Sequence, residues 1–353
     1  MPTWGELLKE LGTLTESLAE RPDEFGGQSA PDVLRRKYLR DLSKRTNRAT
    51  IVYATSWMEG KPASAEQLTI NLADVQGFME AASNLEEREL DLFLHSPGGS
   101  AEAAESIVEY LRTRFDHIRV IVPVAAMSAA TMVALAADEI VMGAHSQLGP
   151  IDPQFTIITP EGPRSAPAQA IKDQFEMAKA QCSADPRNIV AWTPILRSYV
   201  PGLLAQCDHQ EQLAKTVVAR WLERYMFASR DDAADKAQAA ARWFSDFSGF
   251  GSHSRRVSRD DARSQDIAIV DLEADDELQD AMLSVYHAVT HTFGATAATK
   301  IIENHKGRAF IQSLQQAVLV GPNQPGQPTT PQLPTPPAQG QPGPNRAQRR
   351  RKR

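Results

Sequence analysis

Cysteine is scarce in this chain: two among 353 residues, Cys182 and Cys207. Two thiols build neither a disulfide framework nor a zinc cluster, and they point to a reducing compartment. Aromatic residues are also few, at 7%, while apolar residues at 42% and charged residues at 23% are ordinary for a globular protein. That balance excludes a wholly disordered, collagen-like or multispan membrane chain, and the length allows one or two domains with a sizeable core. The start, MPTWGELLKELG, carries Glu6, Lys9 and Glu10 with no uninterrupted apolar stretch behind them, so no secretory signal is expected. A Walker-type phosphate loop and a dinucleotide fingerprint are both missing. His287 and His291 stand at i and i+4 without the intervening Glu of a zincin helix. No metal and no cofactor are expected.

Long apolar runs are missing too, with one exception. Residues 120–137 contain no charge over 18 positions, the threshold for a membrane span, but seven of these are alanine, and Pro123, Ser128 and Thr131 interrupt the run. The stretch reads as a buried strand followed by a buried small-residue helix, and no transmembrane segment is expected. Positive charge is confined to one end. The net charge is −6, and residues 346–353 hold six basic groups and no acid, which leaves residues 1–345 at −12. A body that acidic is a poor partner for nucleic acid. Residues 321–353 hold nine prolines and four glycines but no Ile, Val, Phe or Trp, the composition of a disordered Pro-rich basic tail.

What is present is an alternating pattern. The first 45 residues look helical and polar. Strand signals follow at Ala49–Trp57, Glu89–His95, Ile118–Val124 and Glu139–Met142. Helix-like segments at Leu72–Leu85, Ala101–Arg114 and Ser128–Ala137 separate them. Such alternation implies βαβ units and a parallel sheet. Beyond Pro167 the chain reads as mostly helical, over Gln169–Gln181, Glu211–Phe227, Asp231–Phe247 and Asp276–Phe293, with a short strand at Asp266–Leu272. The stripe of Ala214, Val217, Val218, Trp221 and Tyr225 reads as core or as subunit contact.

Three features fall near the carboxyl ends of these strands, where open α/β sheets place their sites. They are Ser96-Pro97-Gly98-Gly99-Ser100, the strand-to-helix passage around Ser128, and the segment from Ser146 to Gln154. A Pro-Gly-Gly turn lets the main chain approach a ligand and leaves N–H groups unpaired. A serine at a helix start lies near the positive end of the helix dipole, beside the free N–H of the next residue. A hydroxyl with two such donors is what acyl transfer needs. Both features have a plainer reading as well: a turn, and an N-cap serine.

The runs LFLHSPGGS, PVAAMSAAT and DEIVMGAHSQLGPIDPQ, with RRKYLRDLSKRTNRATIVYATSW upstream, resemble the Clp-type serine peptidase superfamily, which includes the Clp protease proteolytic subunit and signal peptide peptidase A. The nearest resemblance is to the serine dehydrogenase proteinase family, and it spans roughly Arg35 to Val270. It implies an α/β fold with a Clp protease/crotonase-like core of repeated β-α units, a helical C-terminal part and the disordered tail. The boundaries it suggests are a helical segment over residues 1–45, a peptidase domain with a helical extension over 46–295, a helical end over 296–320 and the tail over 321–353.

Carried over residue by residue, the resemblance makes Ser128 the nucleophile. Gly99, with Gly98 beside it, becomes the first oxyanion donor, and Ala129 N–H the second. Clp-type subunits order their triad Ser, His, Asp. Here Asp152 stands where their histidine falls and His253 near where their aspartate falls, so the partners are exchanged, as described for the serine dehydrogenase proteinase family. A triad is defined by roles, so the exchange is permitted. Other bases remain open at this point: His145, or a lysine such as Lys172 or Lys179 by analogy with the Ser-Lys dyad of signal peptide peptidases. Arg164 stays protonated and is no base.

The function implied is a serine endopeptidase acting on peptides or unfolded protein through an acyl-enzyme on Ser128, in a cytoplasmic homo-oligomer. The helix over Glu211–Phe227 is a candidate subunit contact. Archaeal relatives often carry a membrane segment, so membrane association follows by analogy only. Two rivals share the fold: a crotonase-like enzyme holding an acyl-CoA thioester enolate on the same donors, and a catalytically silent scaffold.

Overall fold

Turn and cap chemistry sets the first boundaries of the computed structural model, which describes residues 3–21, 26–159 and 162–314. The tail expected over 321–353 lies outside the described residues. Thr3 and Glu6 form a capping box that starts helix α1 (Trp4–Glu20). Ser29 caps α2 (Ala30–Thr46), Pro31 occupies its first turn, and Asn47 stops it in the left-handed conformation at φ 54°. Both helices pack on α13 (Asp276–Ala295) through Leu7, Leu11, Leu34 and Ala288.

The β-branched run after Asn47 forms β1 (Ala49–Thr55), buried along its whole length. Then come α3 (Ala65–Leu68) and α4 (Ala73–Ala82), β2 (Glu89–His95), α5 (Ala101–Arg114), β3 (His117–Val122), β4 (Ala125–Ala126), α6 (Ala129–Leu135) and β5 (Glu139–Met142). Among the described residues the main sheet has seven strands. Besides β1, β2, β3 and β5 it contains β9 (Ile269–Asp271), β10 (Ala298–Asn304) and β11 (Ala309–Ser313), in the order β11-β10-β1-β2-β3-β5-β9. Strands β1, β2, β3, β5 and β9 run parallel, so the expected parallel α/β core is what the chain forms.

Both faces of this sheet are covered, as a parallel sheet requires. Ile51, Tyr53, Leu92, Leu94, Val120 and Val122 face α4, α5 and α6. Val52, Ala54, Phe93 and Ile121 face α2 and α13. The charge-free stretch 120–137 is accordingly interior, with the whole of α6 buried. No helix among the described residues is long and apolar enough to cross a membrane.

One expectation is corrected, and for the stripe on the long helix one of the two readings is decided. Residues 296–320 were read as a helical end, yet β10 pairs antiparallel with β1 and β11 pairs with β10. Ala298, Ile301 and Ile302 are buried there. The β-branched residues of ATKIIEN complete a sheet edge, and that gain outweighs any local helical preference. The stripe on α9 (Leu203–Arg224) is core: Ala214, Val217, Val218, Trp221 and Leu222 are buried within the chain, so this face is not available for subunit contact.

The helical C-terminal part comprises α7 (Ala168–Ala184), α8 (Ile189–Leu196), α9, α10 (Ala233–Phe244) and the short α11 (Phe247–Phe250) and α12 (Arg259–Arg263), before β9 and α13. Between α6 and α7 lie β6 (Gln147–Leu148) and a hairpin of β7 (Gln154–Thr159) and β8 (Gly162–Pro167). The sequence pattern did not indicate this hairpin, because GPRSAP has little strand propensity.

Candidate active site

A second, narrow ladder of strand fragments stands at the carboxyl ends of the main strands. Ile70 bridges Gly99, Ser96 bridges Ala126, β4 pairs with β6, and Leu148 bridges Val257. Every residue singled out by its motif hangs from this ladder. Ser128 follows Ala126 by two positions, Asp152 follows Leu148 by four, and His253 precedes Val257 by four. The antiparallel Leu148–Val257 bridge, bonded in both directions at 3.0 and 2.9 Å, brings together two loops 101 residues apart in sequence.

The Pro97-Gly98-Gly99 loop is shaped by its glycines. Gly98 has φ 99°, and a Cβ there would stand 2.7 Å from Ser128 Cβ and 2.9 Å from Ala129 N. A Cβ on Gly99 would overlap the Ile70 backbone. Only glycine allows both approaches. Ile70 N–H donates to Gly98 O at 2.7 Å, and Ser100 N–H donates to Ile70 O at 2.9 Å. In a parallel bridge of this kind the N–H of the central residue, Gly99, points away from Ile70. It finds no acceptor among the described residues. Gly98 is different, and here the expectation is corrected: its N–H donates to Ser96 Oγ at 3.2 Å and is not free to hold an oxyanion.

Ser128 precedes α6 and occupies an uncommon conformation, φ 51° and ψ −120°. For a non-glycine residue this costs of the order of 1–3 kcal/mol, and the surroundings must enforce it. They do so from both sides. Met127 N–H donates to Ser96 O at 3.0 Å, and Met132 N–H donates to Ser128 O at 3.1 Å. Thr131 Oγ1 donates to Ala126 O at 2.7 Å and accepts the Gly149 N–H at 2.9 Å, tying the Ser128 turn to the loop that carries Asp152. Ser128 makes no side-chain capping bond, so the plain N-cap reading does not describe it. Ala129 N–H, like that of Gly99, has no acceptor among the described residues.

His253 Nδ1 and Asp152 Oδ1 are 2.8 Å apart. The Asp152 side chain is 5% exposed and the His253 side chain 23%, so the carboxylate is sheltered and the imidazole reaches solvent. Gln154 Nε2 donates to the other carboxylate oxygen at 2.9 Å. Ser128, Ala129, Gly99 and His253 line one cleft of about 530 Å³, walled by Met132, Ile151, Phe155 and Ala214 and rimmed by Thr69, Gln154 and Gln210. No hydrogen bond joins Ser128 to His253 among the described residues; such contacts commonly tighten only with substrate bound.

The alternative bases lie elsewhere. His145 is exposed on the turn after β5, against Gly143, and does not line the cleft. Lys172 donates to Glu211 at 2.9 Å and Asp208 at 3.1 Å. Burial favours its neutral form, but the hydrogen bonds and charges of Glu211 and Asp208 outweigh that and raise its pKa, opposite to what a base needs. Lys179 pairs with Glu176 at 2.8 Å. His291 hydrogen-bonds Trp4 O at 2.9 Å, a packing role. No group of His, Cys, Asp and Glu among the described residues has the geometry of a metal site. Ile70 and the tie made by Thr131 escaped the sequence reading, since backbone bonds and a buried hydroxyl carry no motif.

Residues 67–186 match the family of ClpP-like SDH-type serine proteinases. The matched segment is 120 of the 353 residues, about a third of the chain. It contains Gly99, Ser128, Ala129 and Asp152 and stops short of His253. An uncharacterised protein of Methanocaldococcus jannaschii is 34% identical over 162 residues, 43% of this chain and 56% of the relative. A second uncharacterised protein of the same organism is 45% identical over 70 residues, 20% of this chain and 24% of its own length. The chain therefore spans about half the length of the first relative and less of the second. Among solved structures, a membrane-bound stomatin-specific protease aligns with 20% identity and a TM-score of 0.26, covering 33% of this chain and 58% of that one.

Proposed function

We propose that this chain is a serine endopeptidase that hydrolyses peptide bonds through an acyl-enzyme on Ser128. His253 accepts the Ser128 proton as Oγ attacks the scissile carbonyl, and Asp152 holds the imidazole tautomer that presents its other nitrogen to the serine. The N–H groups of Gly99 and Ala129 take the negative charge of the tetrahedral intermediate; one such donor is worth about 2.7–4 kcal/mol of barrier. His253 then passes the proton to the leaving amine, and water repeats the sequence on the ester.

The observation that carries this reading is the Asp152–His253 hydrogen bond at the wall of the cleft that Ser128 enters. An enzyme holding an acyl-CoA enolate would need the two donors and would leave that pair, and the enforced conformation of Ser128, without a task. Peptide or unfolded-protein substrates suit a cleft with apolar walls and a polar rim, and assembly into a homo-oligomer belongs to the same proposal. A fluorophosphonate probe tests it. Wild-type protein should be labelled and Ser128→Ala should not. His253→Ala should lose labelling while His145→Ala retains it. Equal labelling of wild type and Ser128→Ala, or a thermal shift with acyl-CoA in place of labelling, would overturn the proposal.

A further inference from the structure

On β10, outside the segment that matches the family, Lys300 is a charge in a buried strand, with its side chain fully enclosed. Its ammonium donates to Asp74 Oδ1 at 2.7 Å, to Asp74 Oδ2 at 3.0 Å and to Thr69 O at 2.8 Å. Asp74 Oδ2 also accepts the Asn71 N–H at 3.0 Å and the Tyr53 hydroxyl at 2.8 Å. The pair thus grips the carbonyl before Ile70 and the amide after it. Ile70 in turn grips the carbonyl before Gly99 and the amide after it, through its bonds to Gly98 O and Ser100 N. The two grips in series connect a buried ion pair to the peptide plane that carries the Gly99 N–H.

Stability alone gives a weak reason for such a pair. Desolvating two charges offsets much of their attraction, and apolar residues of similar volume often replace a buried pair without loss. A peptide plane is another matter. A donor turned away from the developing oxyanion is lost as a donor, and, apart from a longer bond from Asn71 Nδ2 to Thr69 O at 3.3 Å, it is the pair that bonds the Thr69 carbonyl and the Asn71 amide among the described residues.

We propose that Lys300, with Asp74, is a positioning residue for the Gly99 oxyanion donor: it fixes the segment 69–71, and that segment fixes the orientation of the Gly99 N–H. The proposal rests on the peptidase reading above. Lys300 does not touch substrate; it acts through Ile70. Its removal therefore lowers the rate of the chemical step and leaves probe binding alone.

The experiment compares full-length wild type with Lys300→Met, Lys300→Arg and the apolar double variant Lys300→Met/Asp74→Leu. Each is titrated with a fluorophosphonate probe and melted by circular dichroism. Lys300→Met and the double variant should label with a maximal rate lower by about tenfold to a hundredfold, at an unchanged half-saturating probe concentration. Lys300→Arg, which keeps the charge and the donors, should recover at least part of that rate. The double variant also takes the acceptor from the Asn71 N–H and the Tyr53 hydroxyl, so it should melt below wild type yet stay folded at the assay temperature, which separates positioning from folding. A folded Lys300→Met or double variant that labels within twofold of wild type overturns the proposal, as does a slow variant whose half-saturation shifts with its rate, or failure of all three variants to fold. If wild type itself is not labelled on Ser128, the peptidase reading falls and this inference falls with it. Labelling of wild type with unaltered labelling of folded Lys300 variants removes the inference alone.

Discussion

Ser128 is held where alanine would be strained and glycine would not. Its φ of 51° carries a cost of the order of 1–3 kcal/mol for a side-chain-bearing residue, against about 0.4–1 kcal/mol for the extra freedom of glycine in the unfolded chain. Both Ser128→Ala and Ser128→Gly abolish labelling in the peptidase reading, but they should differ in stability. Ser128→Gly should be more stable than Ser128→Ala by about 1 kcal/mol, seen as a higher melting temperature. A lower one would mean that the turn is not strained. In the peptidase reading Asp152 acts through His253, so Asp152→Asn should keep the fold and slow labelling by about 10⁴-fold. A loss below tenfold would detach Asp152 from the mechanism.

At the level of elements, the narrow ladder matters more than the main sheet. Strands β2 and β3 deliver the chain to the right edge, but the short pairings beyond them decide where each side chain points. Thr131 shows this most clearly, because one hydroxyl bonds Ala126 O and Gly149 N–H and so joins the start of α6 to the Asp152 loop. Thr131→Val keeps the shape and removes both bonds. It leaves a buried carbonyl and amide unpaired, so it should lower stability by about 1–3 kcal/mol in chemical denaturation. It should also slow labelling, since the loop that carries Asp152 loses its anchor. Unchanged stability and rate would show that the two elements are positioned independently.

For the whole molecule, acid is the expected weak point. His95 ends β2 on the face toward α13, enclosed by Trp57 at 5.8 Å and Tyr286 at 5.3 Å between ring centres, with Glu59 close to Tyr286. Neither of its ring nitrogens has a hydrogen-bond partner among the described residues. Burial lowers its pKa from 6.5 to about 4. The folded-state value lies below the unfolded one, so unfolding takes up a proton between these values and stability falls as the pH falls through that window. The loss approaches roughly 3 kcal/mol by pH 4, from the shift of pKa. Urea midpoints of wild type and His95→Phe should diverge at pH 7 to 4.5, with the variant flatter. Parallel curves would clear His95 of the effect.

Much of this protein was legible before any coordinates. Alternation of apolar strands with helices implies a covered parallel sheet, because the periods of 2 and 3.6 residues leave no other way to bury both element types. Pro97-Gly98-Gly99 and Ser128 were visible as local chemistry, since turn and cap preferences act within a few residues. Tertiary structure decided the rest. Residues 298–313 became a sheet edge because strand pairing over 250 residues of separation overrode local composition. Gly98 left the donor pair because Ser96 Oγ claimed its N–H, a contact no spacing announces. The union of Asp152 with His253, and the tie from Lys300 to Gly99, depend on backbone bonds between distant segments. A linear pattern records which groups a chain owns; which of them meet is fixed only when the entropy of long loops has been offset by packing.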